Sequence, residues 1–307
     1  MPNGIFVHGD SGKNIRDGSA YYTEKDKEIS KAIFGAGPKD SAIIGKGVYK
    51  NYGMAESGFQ ISSCQFAVHY FFENEKTIHD FVRNISECTK VNGRFIGTCY
   101  DGNKVFNLLK NKKKEESVAF FKNTHKIFEL TKMYDQTGFP DDEASLGYGI
   151  NVYQETINKV FREYLVNFNY LTRLMEDYGF VLITQEEATQ INLPSSTGLF
   201  SELFNHMENE LNIQPTKRAD YKQAFKMSSE EKNISFLNRY FVFKKIRNVD
   251  AKKMSEIIKK QQTIIDNNDE QIVEEIIENS KIQEKPEKMK VKKTKKKITL
   301  KTYDTVE

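Results

Sequence analysis

The stretch Ile61–Gly102, ISSCQFAVHYFFENEKTIHDFVRNISECTKVNGRFIGTCYDG, constrains the fold more than any other part of the 307-residue chain. It reads as strand, aromatic turn, helix, turn and second strand. Ile61–Phe66 is short and apolar at both ends, and from Glu75 to about Thr89 the residues Ile78, Phe81, Val82, Ile85 and Cys88 fall on one helical face. Asn74 stands where a helix N-cap belongs, Gly93 follows the last turn, and Arg94–Cys99 supplies the second strand. Two strands joined through a helix make the β-α-β unit from which parallel sheets are built, which predicts an α/β fold. In such sheets ligands sit at the carboxyl ends of the strands, where Gln65-Phe66-Ala67-Val68-His69-Tyr70-Phe71-Phe72-Glu73 falls. A cluster of rings beside a histidine and a glutamine suits a flat heterocycle.

Charge and cysteine usage exclude several classes. The net charge is +3, but residues 281–307 hold ten lysines against four carboxylates, a net of +6, which leaves −3 for residues 1–280. The body is therefore not a generally basic nucleic-acid binder, and long-range attraction to RNA has to come from the tail or a local patch. Cys64, Cys88 and Cys99 form neither a CxxC pair nor an even framework, so no structural zinc or disulfide scaffold is expected and a reducing compartment fits best. No apolar run approaches the roughly 20 residues of a membrane helix. With 38% hydrophobic residues and 22 phenylalanines there is ample material for a core of one ordinary domain.

Gly4–Gly9 reads as a strand entering the turn Asp10-Ser11-Gly12-Lys13-Asn14. A phosphate loop would need a glycine where Val7 stands and Ser or Thr where Asn14 stands, so that reading fails. One helix, about Lys25–Phe34, is expected in the glycine-punctuated segment Asp17–Phe59. Val105–Lys110 starts a helix whose end, Lys110–Lys114, would meet RNA phosphates or simply be a solvated loop; residues 118–134 fit paired strands or a helix, and Asp135–Gly149 a polar turn region. Thr156–Tyr178 carries apolar residues at spacings of three and four and predicts one amphipathic helix, ended by Gly179 and followed by a strand at Phe180–Thr184. Residues 186–235 read as helix and loop, and Arg239–Lys245 as a closing strand. Beyond Asp250 an isoleucine stripe and the run KMKVKKTKKK predict a helical to disordered, lysine-rich tail, a candidate RNA tether or localisation signal.

The pattern SCQF..HY.FE followed by a helix and G.FIGT resembles the mRNA cap guanine-N7 methyltransferases, and in wording the capping enzymes of large cytoplasmic DNA viruses. The resemblance implies a Rossmann-like class I methyltransferase sheet over residues 1–248, a tail over 249–307, and methyl transfer from S-adenosylmethionine to N7 of the cap guanosine of an RNA 5′ end. It implies cap contacts at His69, Tyr70 and Phe72, at Tyr240 of RYFVFKK, and at Glu163 of REYLVNF, whose carboxylate would accept from guanine N1–H and N2–H₂. Asp10, Ser11 and Gln65 match cofactor contacts. The family's opening strand, its D.GCG.G.D turn and its second strand have no counterpart here, so the sheet is expected to lack its first two strands and to leave an unpaired edge at Gly4–Gly9. The implied partners are capped RNA and either a missing N-terminal half or other capping-enzyme subunits, with no membrane, in the cytoplasm of a host or in a virion. A non-catalytic cap- or RNA-binding subunit with a degenerate methyltransferase fold is the alternative.

Overall fold

The structure is a computed structural model that describes residues 4–257 except 220, 222 and 255. The lysine-rich tail falls outside the described residues.

The chain opens with two helices, α1 (Glu24–Ile33) and α2 (Ser41–Lys50), where the sequence predicts one. The second is hard to read because Gly45, at φ 79°, breaks its helical geometry. Next come β1 (Phe59–Gln65), a 3₁₀ turn at Val68–Glu73, α3 (Glu75–Cys88) and β2 (Thr89–Tyr100). The Asn74 side chain accepts from Thr77 N–H while the Thr77 hydroxyl serves the Asn74 N–H, a reciprocal cap that fixes where α3 begins. Ile78, Phe81 and Val82 are buried on its inner face. Lys245 ends it: its Nζ, almost wholly buried, donates to the carbonyls of Ser86 and Thr89 at 2.6 and 2.8 Å. The second strand begins at Thr89 rather than Arg94, because residues 89–93 form an irregularity between the pairs Phe59↔Thr89 and Ile61↔Arg94. A Cβ on Gly93 would lie 2.8 Å from the Lys90 carbonyl, which is why glycine stands there.

The remaining elements are α4 (Gly102–Leu108), β3 (Ser117–Lys122), β4 (His125–Lys132), β5 (Gly149–Gln154), β6 (Lys159–Tyr164), α5 (Phe168–Asp177), β7 (Phe180–Leu182), α6 (Gln185–Gln190), β8 (Thr197–Leu199), α7 (Phe200–Ile213), α8 (Ser229–Ser235) and β9 (Asn238–Lys245). They make two sheets. The first runs β1-β2-β9-β7 with β8 also on β9; β1 and β2 are parallel, and the other pairs antiparallel. The second, β3-β4-β5-β6, is an antiparallel meander. Phe95, Phe241 and Phe243 of the first sheet pack with α3 and α5 in the largest core, and a Cβ on Gly97 would come within 2.3 Å of the Phe241 ring. The buried core includes Ala251, with Val249 and Met254 packed against it, so the packed body continues past residue 248.

Two expectations are corrected. Thr156–Tyr178 is not one helix: Asn158, at φ 52°, turns the chain into β6, and Asn167 caps α5 by accepting from the N–H groups of Asn169 and Tyr170. Val160, Tyr164 and Phe168 match helical spacing only by coincidence of a strand running into a helix. Gly4–Gly9 is not a strand either; it makes one bridge, Gly9↔Tyr21. Among the described residues β1 is one open edge of the first sheet, and on it Ile61 is 59% exposed.

Candidate functional site

The 3₁₀ turn after β1 presents His69 and Tyr70 at the carboxyl end of the parallel pair. His69 is 3% exposed, held edge-on by the Tyr70 ring at 4.5 Å and stacked on Tyr100, the last residue of β2, at 5.8 Å. From the other sheet β6 brings Glu163, paired in register with Ile150 and also buried, with Oε2 3.4 Å from His69 Nε2. The Tyr70 hydroxyl donates to the Glu163 carboxylate. Neither His69 nitrogen nor Glu163 Oε2 has a hydrogen-bond partner among the described residues.

Burial sets the charge of this pair. It raises the Glu163 carboxyl from 4.5 to about 7, the Tyr70 hydroxyl offsetting part of the rise, and it pushes His69 down to about 4. Near pH 7 the imidazole is therefore neutral, with one N–H to donate, and the carboxyl is poised between its two forms. Glu163 Oε2 and the His69 N–H lie side by side without a hydrogen bond from the described residues, an arrangement that costs stability unless a ligand supplies the partners. Above the pair opens a cavity of about 640 Å³ between the two sheets, lined by Phe66, Tyr100, Phe128, Val152, Gln154 and Asn238 among others. The Asn238 Oδ1 is a further buried acceptor without a partner.

The other residues singled out from sequence lie elsewhere. Phe72 is fully buried in the core with its ring near Tyr170, so it does not reach the cavity and its reading as a cap contact is corrected. Tyr240 faces β8, its hydroxyl donating to the Ser195 carbonyl at 3.1 Å, and it is not among the cavity's lining residues. The exposed Gln65 side chain is held on the sheet surface: its Oε1 accepts from the Thr98 hydroxyl and its Nε2 donates to Ser63 Oγ. Asp10 accepts from Gly12 N–H, and the Ser11 carbonyl accepts from Asn84. This turn lies near the Phe71 ring, so it and Gln65 flank the same aromatic segment. The Asp10 carboxylate, with Lys13 Nζ 3.8 Å from its Oδ2, and both ends of the Gln65 amide are thus engaged within the chain, and no glycine-rich loop between a strand and a helix occurs among the described residues. Lys114 is paired with Asp135 and the Lys112 carbonyl with Lys132, and the segment 110–114 is not part of the cavity wall.

Sequence reasoning missed Tyr100 and Asn238 and named Phe66 only as one ring of the aromatic cluster. The position of Tyr100, one residue past the predicted end of a strand whose carboxyl end faces a ligand site, was the available signal. Nothing local marks Asn238, which reaches the cavity only through the pairing of β9 with β2.

Among known proteins, the probable mRNA-capping enzyme of Acanthamoeba polyphaga mimivirus is 27% identical over 233 residues, covering 66% of this chain and 18% of that protein. The mRNA cap guanine-N(7) methyltransferase of Debaryomyces hansenii is 27% identical over 227 residues, 71% of this chain and 41% of that protein. This chain thus spans less than half the length of these relatives. The solved CcbJ methyltransferase from Streptomyces caelestis aligns with 62% of this chain and 59% of its own at 9% identity and a TM-score of 0.34, too low to establish a shared fold. The family model of the mRNA (guanine-N(7))-methyltransferase domain matches residues 14–246, and the chain belongs to that family.

Proposed function

We propose that the chain seats the guanosine cap of an RNA 5′ end for methylation at N7, as the cap-binding portion of a cap guanine-N7 methyltransferase. One observation carries the reading: a buried carboxylate oxygen, Glu163 Oε2, and a buried imidazole, His69, 3.4 Å apart and each without a hydrogen bond from the described residues, at the wall of an aromatic cavity. Guanine presents the complementary order, with N1–H and N2–H₂ as donors beside the O6 acceptor. Adenine presents the reverse order at the same edge and would face the carboxylate with a lone pair.

The residues then act by positioning. Glu163 accepts from N1–H and N2–H₂, His69 donates to O6, and Tyr70, held by its own bond to Glu163, offers a ring at the cavity's edge. Guanine N7 carries a lone pair and no proton, so its attack requires no general base, and the chain need only hold it in line. S-adenosylmethionine, when bound, supplies the methyl group from its sulfonium. Asp10, Ser11 and Gln65 are the residues of this chain that would hold it. The product ring is cationic, and an ionised Glu163 beside it favours that charge. A capped RNA is the implied partner, and the three free cysteines fit a reducing setting such as a host cytoplasm. Among the described residues no helix is long and apolar enough to cross a membrane.

The internal bonds of Asp10, Ser11 and Gln65 favour a second reading, a cap-binding subunit that leaves catalysis to another chain. Labelled S-adenosylmethionine and an RNA with an unmethylated guanosine cap separate the two. Methyl transfer by the purified chain above a His69→Ala, Tyr70→Ala double variant supports the enzyme. Cap binding without transfer fits an incomplete enzyme or the subunit, and absence of cap binding overturns both.

A further inference from the structure

His69 and Glu163 come from different sheets, so the 3.4 Å between them depends on how those sheets are joined. One joint lies just past Tyr100, the residue on which His69 stacks. Asp101 N–H donates to the carbonyl of Leu237, immediately before β9, at 2.8 Å, and Gly102 N–H donates to the carbonyl of Val166, two residues beyond β6, at 3.0 Å. A Cβ on Gly102 would lie 2.3 Å from the Val166 carbonyl oxygen, so only glycine lets the two backbones come this close.

The Asp101 side chain tightens the same joint. It is buried, and both of its oxygens are used: Oδ1 accepts from Lys104 N–H at 2.8 Å, capping α4, and Oδ2 accepts from Arg239 Nε at 2.8 Å. The Arg239 guanidinium lies 4.7 Å from the centre of the Phe168 ring, the first residue of α5, and its Nη1 donates to Thr197 Oγ1 of β8 at 3.2 Å. One ion pair therefore ties the end of β2 to β9 and to the helix that continues β6. The chain neighbours of its two members, Tyr100 and Asn238, are paired in register and line the cavity, whereas Asp101 and Arg239 do not. An ion pair with a buried carboxylate gains little net stability over apolar residues of similar volume, because desolvation offsets the attraction. Its directed hydrogen bonds, however, admit only one geometry.

We infer that the Asp101–Arg239 pair positions the guanine seat: it locks the end of β2 against β9 and the β6–α5 junction, and so fixes the separation of His69 and Glu163 without touching the ligand. The inference rests on the guanine reading of the pocket. It makes Asp101 and Arg239 positioning residues, which decide how well one base is told from another.

Calorimetric affinities for GTP and ATP at pH 8, and for GTP from pH 5 to pH 8, test it on the full chain, on Arg239→Lys and on the double variant Asp101→Asn, Arg239→Met. Lysine keeps the charge but loses the flat face over Phe168 and the Nε donor. The double variant leaves no unpaired buried charge, keeps an acceptor for the α4 cap and covers Phe168 with an apolar chain, so it folds even if the single variant does not; melting curves establish which are folded. In the folded variants ATP should bind as in the parent and GTP about tenfold more weakly, the scale of one misdirected bidentate base contact. The pH at which GTP affinity falls should move below about 7, as water reaches Glu163. A pair that merely holds the fold would lower the melting temperature and move neither readout. The inference is overturned if a folded variant keeps the parent's preference for GTP or its pH midpoint, or if GTP and ATP weaken equally. A parent that does not prefer GTP to ATP overturns the guanine reading instead.

Discussion

On the proposed guanine reading, Glu163 sets binding against stability. Its carboxyl ionises near 4.5 in an unfolded chain and at about 7 in the fold, so the folded state holds the proton more tightly. As pH rises above about 4.5 the unfolded form gains by ionising first, and the penalty is complete above about 7. Glu163→Gln removes that penalty while keeping the shape. The variant is expected to be more stable than the parent at pH 8, by on the order of 2–3 kcal/mol, with the gap closing toward pH 5 in thermal melts. The sign reverses for ligand. Guanine needs the ionised acceptor, so affinity for GTP should fall as pH drops through about 7 in the parent and be weak at every pH in the variant. His69, already neutral above about 4, contributes no titration in that window. At this scale the sequence was informative about His69, Tyr70 and Glu163, which the fold brings into one cluster. It was misleading about Phe72 and did not separate Phe66 from the other rings, because the pattern of a ring-rich turn does not say which rings point inward. A 3₁₀ turn, unlike an α-helix or strand of known period, gives neighbouring side chains no face to be read in advance.

The elements were legible where a local signal ends them. Asn74 and Thr77 form a reciprocal cap that the sequence places at the correct residue, and α3 and β2 follow from it. Asn74→Ala should cost about 1 kcal/mol in chemical denaturation, the usual worth of an N-cap. The other end of α3 was not legible, since it is closed by Lys245, more than 150 residues further on. Lys245→Ala leaves two buried carbonyls without a donor and should destabilise by about 2–4 kcal/mol. Lys245→Arg should rescue little, because the compact ammonium sits in a site 4% exposed. The division of 156–178 into β6 and α5 escaped periodicity for a related reason. Strand and helix registers happen to place apolar residues at compatible positions, and the boundary is set by Asn167, whose side chain also donates to the Pro140 carbonyl. Had the segment been one helix, Glu163 would lie on a helical surface. As a strand residue it reaches the cavity from the second sheet.

At the scale of the whole molecule, the site depends on two sheets meeting. The parallel pair β1–β2 carries His69 and Tyr100, the meander carries Glu163, and neither sheet alone makes the pocket. The unpaired edge expected at Gly4–Gly9 is not there, since that segment is no strand; β1 is an open edge of the first sheet and borders an apolar groove of about 390 Å³ lined by Val7, Ile29, Ile33, Phe34, Met54 and Phe59. An open strand edge with exposed Ile61 is prone to association. Ile61→Lys is expected to change stability by less than about 0.5 kcal/mol, because the side chain is largely exposed, and to lower concentration-dependent light scattering. A large destabilisation would mean that Ile61 is buried against something and that the edge is not free.

The central claim, that the Glu163–His69 pair reads guanine, is tested most directly by comparing the affinities of the chain and of Glu163→Gln for GTP and ATP at pH 8. The parent should prefer GTP by about tenfold or more, as two hydrogen bonds to one base edge imply, and the variant should lose most of that preference while remaining folded. Equal affinities for the two nucleotides in the parent, or an undiminished preference in the variant, would contradict it.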